Sequence, residues 1–424
     1  MIEQVFWQAE RECKAAEPPA DAPMPQTVDV AVVGAGLTGL SAARTLAKGG
    51  ASAAVFETNT VAWGASGRNG GQVSVGAKRG PDGWVEEYGK ELAIQLWKAS
   101  IDSVTFVEDL VKKEKIDCGW VRNGLYEACY KSEHFGHLAE WQKYMAEEFD
   151  YPLELVPPMR QKEELGCDLY HGGMVDEFAG MLNPYLYTRG LAAAAMKAGA
   201  QIFERTEVLG LSPSGDGWNV TTSRGTVAAS DVLVATNGYT GATTPQLQRR
   251  VVPVGSHIIA TEPMDKDLAL SVIPKRRIVY DSKKMLFYFT LSADDRLVFG
   301  GRAAWRPVTA QQSGEILQKH MVRYFPQLAG VKVEYTWHGQ VCMTMDFDPH
   351  LGKMDGLHYC MGYCGHGVAM STHLGDVMAG LIAGKPGDSP FLQLKPLPKI
   401  PLYTGNPWFL PAADVYYRTY DRLK

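Results

Sequence analysis

The sequence contains no long apolar run, no excess of positive charge and no cysteine pair at the spacing of a redox or metal motif. No window of the 424 residues approaches the roughly 20 apolar residues that a membrane-spanning helix requires. The net charge is −5, which gives no indication of nucleic acid or an anionic membrane as a partner. The first residues carry no basic stretch followed by an apolar one, so we expect no secretory signal.

Cysteine is sparse, and its pattern indicates the redox compartment. The seven cysteines are an odd number and include no C-x-x-C pair, so we expect reduced thiols and a cytoplasmic location. Cys360 and Cys364 lie beside His366, but no second pair of ligands accompanies them. Packing next to a glycine turn is therefore favoured over a metal site, and we predict no bound metal.

The stretch from Val28 to Glu57 contains the strongest motif. The apolar, β-branched run 28–33 predicts a buried parallel strand, and Leu40–Lys48 predicts a helix. Between them stands Gly34-Ala35-Gly36-Leu37-Thr38-Gly39. A second predicted strand, 52–56, leads to Glu57, which lies 18 residues after Gly39. A G-x-G-x-x-G segment between a strand and a helix, followed by an acidic residue at this distance, predicts a dinucleotide-binding unit.

Each residue of this motif has a physical role in that interpretation. Gly34 allows a tight turn, Gly36 lets the backbone approach a pyrophosphate, and Gly39 lets the helix pack close to the strand. The helix N-terminus faces the phosphates. Glu57 binds the ribose hydroxyls and argues against a 2′-phosphate, and therefore against NADP. A glycine-rich turn in an ordinary α/β unit is the alternative.

A second glycine-rich segment follows at residues 64–72, with the sequence GASGRNGGQ. Its glycines indicate a backbone that lies close to a ligand or turns sharply. Ser66, Arg68, Asn69 and Gln72 add polar groups suited to a phosphate or to the edge of a heteroaromatic ring. A flexible surface loop is the alternative interpretation.

The remainder of the chain predicts two kinds of sheet. Residues 184–204 form a helix, a glycine stop and a strand, and residues 231–238 form a buried strand with a small-residue turn, which indicates a parallel sheet. Residues 251–339 contain short alternating or aromatic strands typical of a mixed or antiparallel sheet. A glycine turn at 365–368 precedes a helix predicted from Met370. Residues 1–26 predict an irregular arm, and residues 385–411 an extended tail.

These segments occur together in one family. The Gly34-Ala35-Gly36 motif, the loop at 64–72 and the Gly365-His366-Gly367-Val368 turn resemble FAD-dependent amine oxidases, in the group of D-amino-acid, glycine and sarcosine oxidases. Within that group the chain is most similar to bacterial gamma-glutamylputrescine oxidases, over nearly its whole length.

The resemblance implies an α/β protein that binds FAD rather than NAD. A Rossmann-like FAD-binding domain would comprise residues 1–83, 168–244 and 340–400. A substrate domain with a mixed sheet and flanking helices would comprise 84–167 and 245–339, followed by a C-terminal tail at 401–424. The expected FAD contacts are Gly34, Gly36, Leu37, Thr38, Gly39, Glu57, Thr58, Gly64, Ala65, Ser66, Arg68, Asn69, Gly70, Gly71, Gln72, Val208, Asn237, Gly365, His366, Gly367 and Val368.

The resemblance also implies an oxidase of a primary or secondary amine. The carbon beside nitrogen would deliver hydride to flavin N5, the imine would hydrolyse to an aldehyde, and O₂ would be reduced to H₂O₂. His366, Tyr288 and Lys284 are the expected catalytic residues. Arg302, Trp305 and Phe289 are expected to contact the substrate, although strand aromatics in a core and a surface ion pair are the alternatives for Tyr288, Phe289 and Arg302.

Sarcosine oxidases carry their flavin on a cysteine near the position of Cys342. The spacing around Thr344 and Pro349 does not match that pattern, so an ordinary buried cysteine is favoured. Two other functions remain open. One is an oxidase or dehydrogenase of D-amino or N-methyl amino acids, which requires a carboxylate clamp. The other is a flavin-binding electron-transfer subunit without oxidase turnover.

Overall fold

The computed structural model describes residues 1–302 and 308–423. The strands, numbered in chain order, are β1 Ile2–Glu3, β2 Thr27–Val33, β3 Ala53–Phe56, β4 Gln72–Val73, β5 Leu125–Ala128, β6 Glu154–Val156, β7 Gly173–Asp176, β8 Gly180–Met181, β9 Gln201–Phe203, β10 Val208–Ser214, β11 Gly217–Thr222, β12 Gly225–Val234, β13 Val252–Thr261, β14 Ile278–Asp281, β15 Phe287–Leu291, β16 Leu297–Gly301, β17 Val333–Met343, β18 His350–Met354 and β19 Leu357–Met361.

The helices are α1 Phe6–Ala9, α2 Leu37–Lys48, α3 Ala65–Arg68, α4 Gly80–Tyr88, α5 Lys90–Glu114, α6 Ser132–Phe149, α7 Pro184–Lys197, α8 Pro245–Gln248, α9 Lys266–Val272, α10 Ala310–Tyr324, α11 Gly367–Ile382 and α12 Leu410–Leu423. Short 3₁₀ turns cover Pro158–Glu163, Asn237–Tyr239, Pro326–Leu328 and Pro390–Gln393. Among the described helices, none combines the length and the apolar content of a membrane span.

The first sheet is the dinucleotide half of the molecule. Strands β9, β3, β2, β12 and β19 lie side by side and run parallel, and β10, β11 and β18 extend the sheet with antiparallel pairs. The predicted strand at 28–33 is buried at its centre, with Val30 and Val32 facing one core and Ala31 the other. Helices α2, α5, α7 and α11 pack against one another on the first of these faces.

The second sheet has the strand order β1-β17-β13-β16-β15-β14-β5-β7-β6. It is mixed, as expected, because β1 pairs with β17 and β14 with β5 in parallel while the other pairs are antiparallel. The alternation along β15 and β16 sorts the side chains between two faces. Phe287, Phe289 and Phe299 lie in a core with α10, whereas Tyr288 and Gly300 occupy the face that is turned towards the first sheet.

Sheet membership differs from the expected division of the chain at several places. The strand β1 joins the edge of the second sheet, and β7 pairs with β5 and β6 in the same sheet. The helix α5 packs against α11 because its apolar face, which includes Leu96, Val104 and Val107, belongs to the core of the first half.

Both chain termini are more ordered than the sequence indicated. The predicted irregular arm contains β1 and α1, and it buries Phe6 and Trp7 completely. The predicted C-terminal tail ends in the helix α12, which carries an Asp414–Arg418 ion pair one turn apart. The carboxylate of Asp421 in α12 accepts hydrogen bonds from the backbone N–H groups of Lys284, at 2.9 Å, and Met285, at 2.8 Å. The sequence did not indicate this helix, because the segment before residue 411 is rich in proline and predicts an extended tail.

Candidate active site

A cavity of about 970 Å³ lies between the two sheets. Its volume is in the range of protein sites that enclose a cofactor or a small ligand. The first half of the molecule contributes the glycine-rich loop after β2, the end of β3 and the turn before α11. The second half contributes side chains from one face of its sheet, including Glu127, Tyr280, Tyr288 and Arg302.

The three glycines of the first motif have the close contacts that their spacing predicted. Gly34 has φ +104°, and a Cβ there would lie 3.2 Å from the carbonyl oxygen of Ala235. A Cβ on Gly36 would lie 2.9 Å from Ser66 Oγ, and one on Gly39 would lie 2.1 Å from the carbonyl oxygen of Gly34. Gly34 and Gly36 line the cavity, while Gly39 lets α2 approach the loop and does not line it. Leu37 and Thr38, at the N-terminus of α2, also line the cavity.

Glu57 lies at the end of β3, beside this loop. Its Oε2 accepts a hydrogen bond from Ala35 N and its Oε1 accepts one from Asn59 N, both at 2.9 Å. Burial raises the pKa of the Glu57 carboxyl, and the two backbone donors act in the opposite direction. Thr58, Val208 and Asn237 also line the cavity. The side chain of Asn237 accepts a hydrogen bond from Gly362 N at 3.0 Å, which joins the turn after β12 to the end of β19.

The loop at 64–72 is held in place by hydrogen bonds rather than exposed as a flexible loop. The Asn69 side chain donates to the carbonyl oxygens of Ala65 and Ser66 and accepts from Gly71 N, at 3.1, 3.0 and 2.8 Å. Trp7 Nε1 donates to the carbonyl oxygen of Asn69 at 2.8 Å, so the N-terminal arm fixes the loop from outside.

The expected contacts within this loop divide into two groups. Gly64, Ala65, Ser66, Arg68, Asn69, Gly70 and Gln72 line the cavity. Gly71 does not line the cavity, because it turns the chain at φ +75° with its Cβ position 2.4 Å from the carbonyl oxygen of Leu182. Gln72 Nε2 donates to the carbonyl oxygen of Val279 at 3.1 Å and so joins the loop to the second sheet.

The turn before α11 also lines the cavity. Gly365 adopts φ +108°, and the helix begins at Gly367, three residues earlier than predicted, with His366 at its N-cap. No side chain caps this helix terminus, so its first N–H groups favour negative charge nearby. Gly365, His366, Gly367 and Val368 all line the cavity.

His366 is a neutral imidazole in this environment. Its Nδ1 is buried and makes no hydrogen bond within the described part of the chain. Burial, and secondarily the positive charge of Lys78, lower the pKa of His366 to about 4. The side chain therefore carries no charge near neutral pH and presents a hydrogen-bonding nitrogen without charge.

The wall opposite this turn is a row of residues across the second sheet. Strand register places Glu127 beside Tyr280, Tyr280 beside Tyr288, Tyr288 beside Gly300, and Gly300 beside Ile258. Because directly opposed residues of neighbouring strands share a face, these side chains form one continuous surface. Four of the five line the cavity, and Gly300 is the position without a side chain.

Tyr288 is held in a fixed position in this row. Its hydroxyl is 2.8 Å from Ser256 Oγ, and its ring covers Gly300, where a Cβ would lie 2.3 Å from ring atoms. A Cβ on Gly70 would lie 2.9 Å from the same ring. Burial raises the pKa of Tyr288 to about 12, so the phenol stays protonated near neutral pH. Tyr288 can orient a substrate by hydrogen bonding and is not a general base.

Positive side chains outnumber negative ones at this end of the cavity. Arg302, Lys78 and Lys284 line it together with Glu127. Burial lowers the pKa of Lys78 and of Arg302, and the charges of Arg302 and Lys284 act on Lys78 in the same direction. Lys283 is paired instead, with its Nζ 2.9 Å from Asp281 Oδ2.

The prediction for Phe289 is wrong, because its side chain is fully buried in the core on the opposite face of β15 from Tyr288. Trp305 lies outside the described residues.

Cys342 lines the cavity, but its side chain is buried, and burial raises the pKa of its thiol well above the usual value. A protonated thiol is a poor nucleophile for covalent attachment.

Sequence reasoning missed Lys78, Glu127, Tyr280 and Ser256, which all line the cavity. One signal for Glu127 was present, since it is a charged residue within the short apolar strand β5. Such a residue is costly to bury unless it has a partner or a ligand. Lys78 stands in a loop and carries no comparable signal.

The parallel sheet, the glycine-rich loop at a helix N-terminus and the acidic residue after β3 define a dinucleotide-binding fold, and the second sheet encloses a substrate cavity against it. Residues 29–381 match the FAD dependent oxidoreductase (DAO) family. The chain belongs to this family and is an FAD-dependent oxidoreductase.

Relatives and solved structures agree with this assignment. The chain is 36% identical to a probable oxidoreductase OrdL of Haemophilus influenzae, over 84% of this chain and 83% of the relative. It is 32% identical to gamma-glutamylputrescine oxidoreductase of Escherichia coli, over 94% of this chain and 93% of the relative. The fold is similar to that of glycine oxidase from Geobacillus kaustophilus, with a TM-score of 0.71 and 22% identity, covering 85% of this chain and 95% of that one.

The residues present fit FAD. Gly34, Gly36, Leu37 and Thr38 line the cavity at the N-terminus of α2, a position that favours a pyrophosphate. The carboxylate of Glu57 lies beside that loop with capacity for further hydrogen bonds. His366, whose buried Nδ1 has no hydrogen-bond partner among the described residues, lines the same cavity. The glycine-rich loop would hold the pyrophosphate, Glu57 the ribose, and residues 64–72 and 365–368 the flavin ring.

Proposed function

We propose that this enzyme oxidises the primary amine of a gamma-glutamylated diamine or a related amine, and that O₂ is the electron acceptor. The observation that carries the proposal is that Tyr288, His366 and Arg302 line one cavity, with Arg302 acting electrostatically on Tyr288. The relative of 32% identity, whose name specifies gamma-glutamylputrescine, supports this substrate class because it matches the chain over 94% of its length.

The overall reaction balances with water and oxygen. The amine, water and O₂ give an aldehyde, ammonia and H₂O₂. FAD bound in this site would supply the redox chemistry, with hydride acceptance from the carbon beside the nitrogen and transfer of two electrons to O₂. The protein supplies the neutral form of the amine, its orientation and the electrostatic environment.

The positive charges of the cavity favour the neutral amine. A like charge nearby lowers the pKa of a bound ammonium group, and Arg302 lines the cavity and acts electrostatically on Tyr288. The amine must lose its proton before oxidation, because its lone pair assists the removal of hydride from the adjacent carbon. Tyr288 keeps its own proton, and His366 is neutral, so both can form hydrogen bonds that orient the nitrogen. The N-terminus of α11 would stabilise negative charge on a flavin ring bound beside it.

Oxidation of an α-amino acid is the second candidate. The observation that favours it is Arg302, whose guanidinium can bind a carboxylate with two hydrogen bonds. In that case the substrate carboxylate would be bonded to the carbon that is oxidised. Arg302 would then be essential for every substrate, because every substrate would carry that carboxylate.

Steady-state assays with the FAD-loaded enzyme distinguish these candidates. Gamma-glutamylputrescine, putrescine, D-alanine, glycine and sarcosine are compared by O₂ consumption, H₂O₂ formation and trapping of the aldehyde or keto acid. We expect H₂O₂ and aldehyde with gamma-glutamylputrescine. H₂O₂ with the amino acids alone, abolished in Arg302→Gln, would transfer the assignment to the second candidate. Reduction without H₂O₂ would indicate an acceptor other than O₂.

The seven cysteines are all described, and all are free thiols. We continue to propose a cytoplasmic location on that basis. Fractionation of cells that produce the protein at its native level tests it, and recovery in an oxidising compartment would contradict it.

A further inference from the structure

Glu127 is an acidic residue on a short apolar strand, and burial raises the pKa of its carboxyl. It lies on β5 between buried neighbours, and its side chain turns into the cavity. The Tyr280 hydroxyl donates to Glu127 Oε2 at 3.0 Å, and in the described part of the chain no other group hydrogen-bonds or ion-pairs with this carboxylate. A carboxylate in such a position retains capacity for an incoming donor.

Strand register defines how far Glu127 lies from Tyr288, the residue that we expect to orient the reacting amine. Glu127 is opposite Tyr280 on β14, and Tyr280 is opposite Tyr288 on β15. Two strand spacings of about 4.8 Å place Glu127 about 10 Å from Tyr288 along the sheet. Tyr288 is the residue whose ring contacts the Gly70 segment. Glu127 is therefore placed for a part of the substrate that is remote from the amine that reacts.

Lys78 supplies the opposite charge in the same region. It lines the cavity, and each of the two groups acts electrostatically on the other, yet they form no ion pair. Lys78 makes no hydrogen bond or ion pair with any residue that the structure describes. A carboxylate and an ammonium that face one cavity without neutralising each other are complementary to a ligand that carries both charges.

We propose that Glu127, oriented by Tyr280, and Lys78 form a subsite for the zwitterionic amino acid end of the substrate, with its ammonium group on Glu127 and its carboxylate on Lys78. This inference rests on the proposed function and makes it more specific. The substrate class becomes a primary amine linked through a spacer to an α-amino acid group. Tyr280 is a positioning residue, because it acts through the Glu127 carboxylate.

Binding of three ligands to the enzyme with its FAD reduced, kept anaerobic so that no amine is oxidised, tests the subsite. N-butyl-γ-glutamine carries both charges, N-butylglutaramic acid carries only the carboxylate, and N-butyl-4-aminobutanamide carries only the ammonium. None has an amine on its butyl group, which takes the place of the aminobutyl group of gamma-glutamylputrescine. Dissociation constants are measured by calorimetry for wild type, Glu127→Gln, Lys78→Met and Tyr280→Phe. Glu133→Gln removes the same charge from the exposed first turn of α6 and is the matched control.

The subsite predicts that Glu127→Gln and Lys78→Met each weaken binding only of the ligands that carry the complementary charge. Removal of a charge-assisted hydrogen bond from a buried site changes Kd by about 10- to 100-fold. Glu127→Gln is expected to weaken the two ligands that carry an ammonium group by this factor and to leave N-butylglutaramic acid within about twofold. Lys78→Met is expected to show the converse, with the loss confined to ligands that carry a carboxylate. Tyr280→Phe should reproduce the Glu127→Gln pattern with a smaller amplitude.

Two results would overturn the subsite. One is an equal loss for all three ligands in Glu127→Gln, with FAD content and melting temperature retained, which would indicate a structural role. The other is no change for any ligand. Failure of the proposed function is distinguishable from both, because it would appear as wild-type enzyme that oxidises no primary amine, whatever the binding pattern.

Discussion

Gly300→Ala should lower the rate of catalysis while the protein still folds and binds FAD, because the added methyl group displaces Tyr288. A Cβ there would lie 2.3 Å from Cε2 and Cζ of Tyr288 and 2.6 Å from its hydroxyl oxygen. An ordinary contact begins near 3.4 Å, so the ring must move by about 1 Å in Gly300→Ala. That movement breaks the 2.8 Å hydrogen bond to Ser256 and displaces the group that we expect to orient the substrate.

A displacement of about 1 Å at a reacting site lowers the rate by roughly 100-fold. We therefore expect kcat/KM of Gly300→Ala to fall by about that factor with the best amine substrate. FAD content should be unchanged, because Gly300 does not line the cavity. The measurements are steady-state oxidation and the ratio of flavin to protein absorbance.

Gly301→Ala is the matched control on the same strand. Its Cβ would lie 2.5 Å from the ring of Phe287, which packs in the core on the opposite face. Overpacking there should cost about 1–3 kcal/mol of stability and leave the rate per bound flavin close to that of wild type. If Gly300→Ala retains full activity, or if both variants lose activity equally, Tyr288 is not positioned as we describe.

Three further predictions concern the cofactor, stability and pH. Glu57→Gln should weaken FAD binding by about tenfold, because a charged acceptor for the ribose is lost, and an unchanged FAD dissociation constant by fluorescence would refute that role. Asp348→Ala should lower the free energy of unfolding in urea by about 3 kcal/mol, because Arg79 Nε and Trp84 Nε1, both 2.8 Å from the buried carboxylate, lose their acceptor; a loss below about 1 kcal/mol would contradict this. The pKa of His366 falls from 6.5 to about 4 on folding, so its contribution to stability is present above pH 6.5 and is lost as the pH falls towards 4. His366→Gln should therefore reduce the acid-side slope of stability against pH, and an unchanged slope would argue against a buried neutral imidazole.

The parts of the site that could be predicted from the sequence are those whose residues lie close together along the chain. Gly34, Gly36 and Glu57 belong to one strand-loop-helix-strand unit, and the physical demands of a tight turn and a ribose acceptor determine their spacing. The loop at 64–72 was identified for the same reason. The same reasoning assigned Gly71 to the cofactor, whereas its positive φ serves a turn beside Leu182.

The substrate wall does not follow from sequence, because long-range register creates it. Glu127 and Tyr288 are separated by 161 residues and share a face only because β5, β14 and β15 pair in one register. Lys78 reaches the same region from a loop of the other half. Strand alternation places Tyr288 and Phe289 on opposite faces of β15, which accounts for the burial of Phe289 in the core.

Anaerobic titration of the FAD-loaded enzyme tests the central claim most directly. Gamma-glutamylputrescine is added while the visible flavin absorbance is followed, and air is then admitted. We expect stoichiometric bleaching, return of the colour in air, and one H₂O₂ for each amine consumed. A flavin that is not bleached by gamma-glutamylputrescine or putrescine, and is bleached by D-alanine, glycine or sarcosine, would contradict the assignment to amine oxidation.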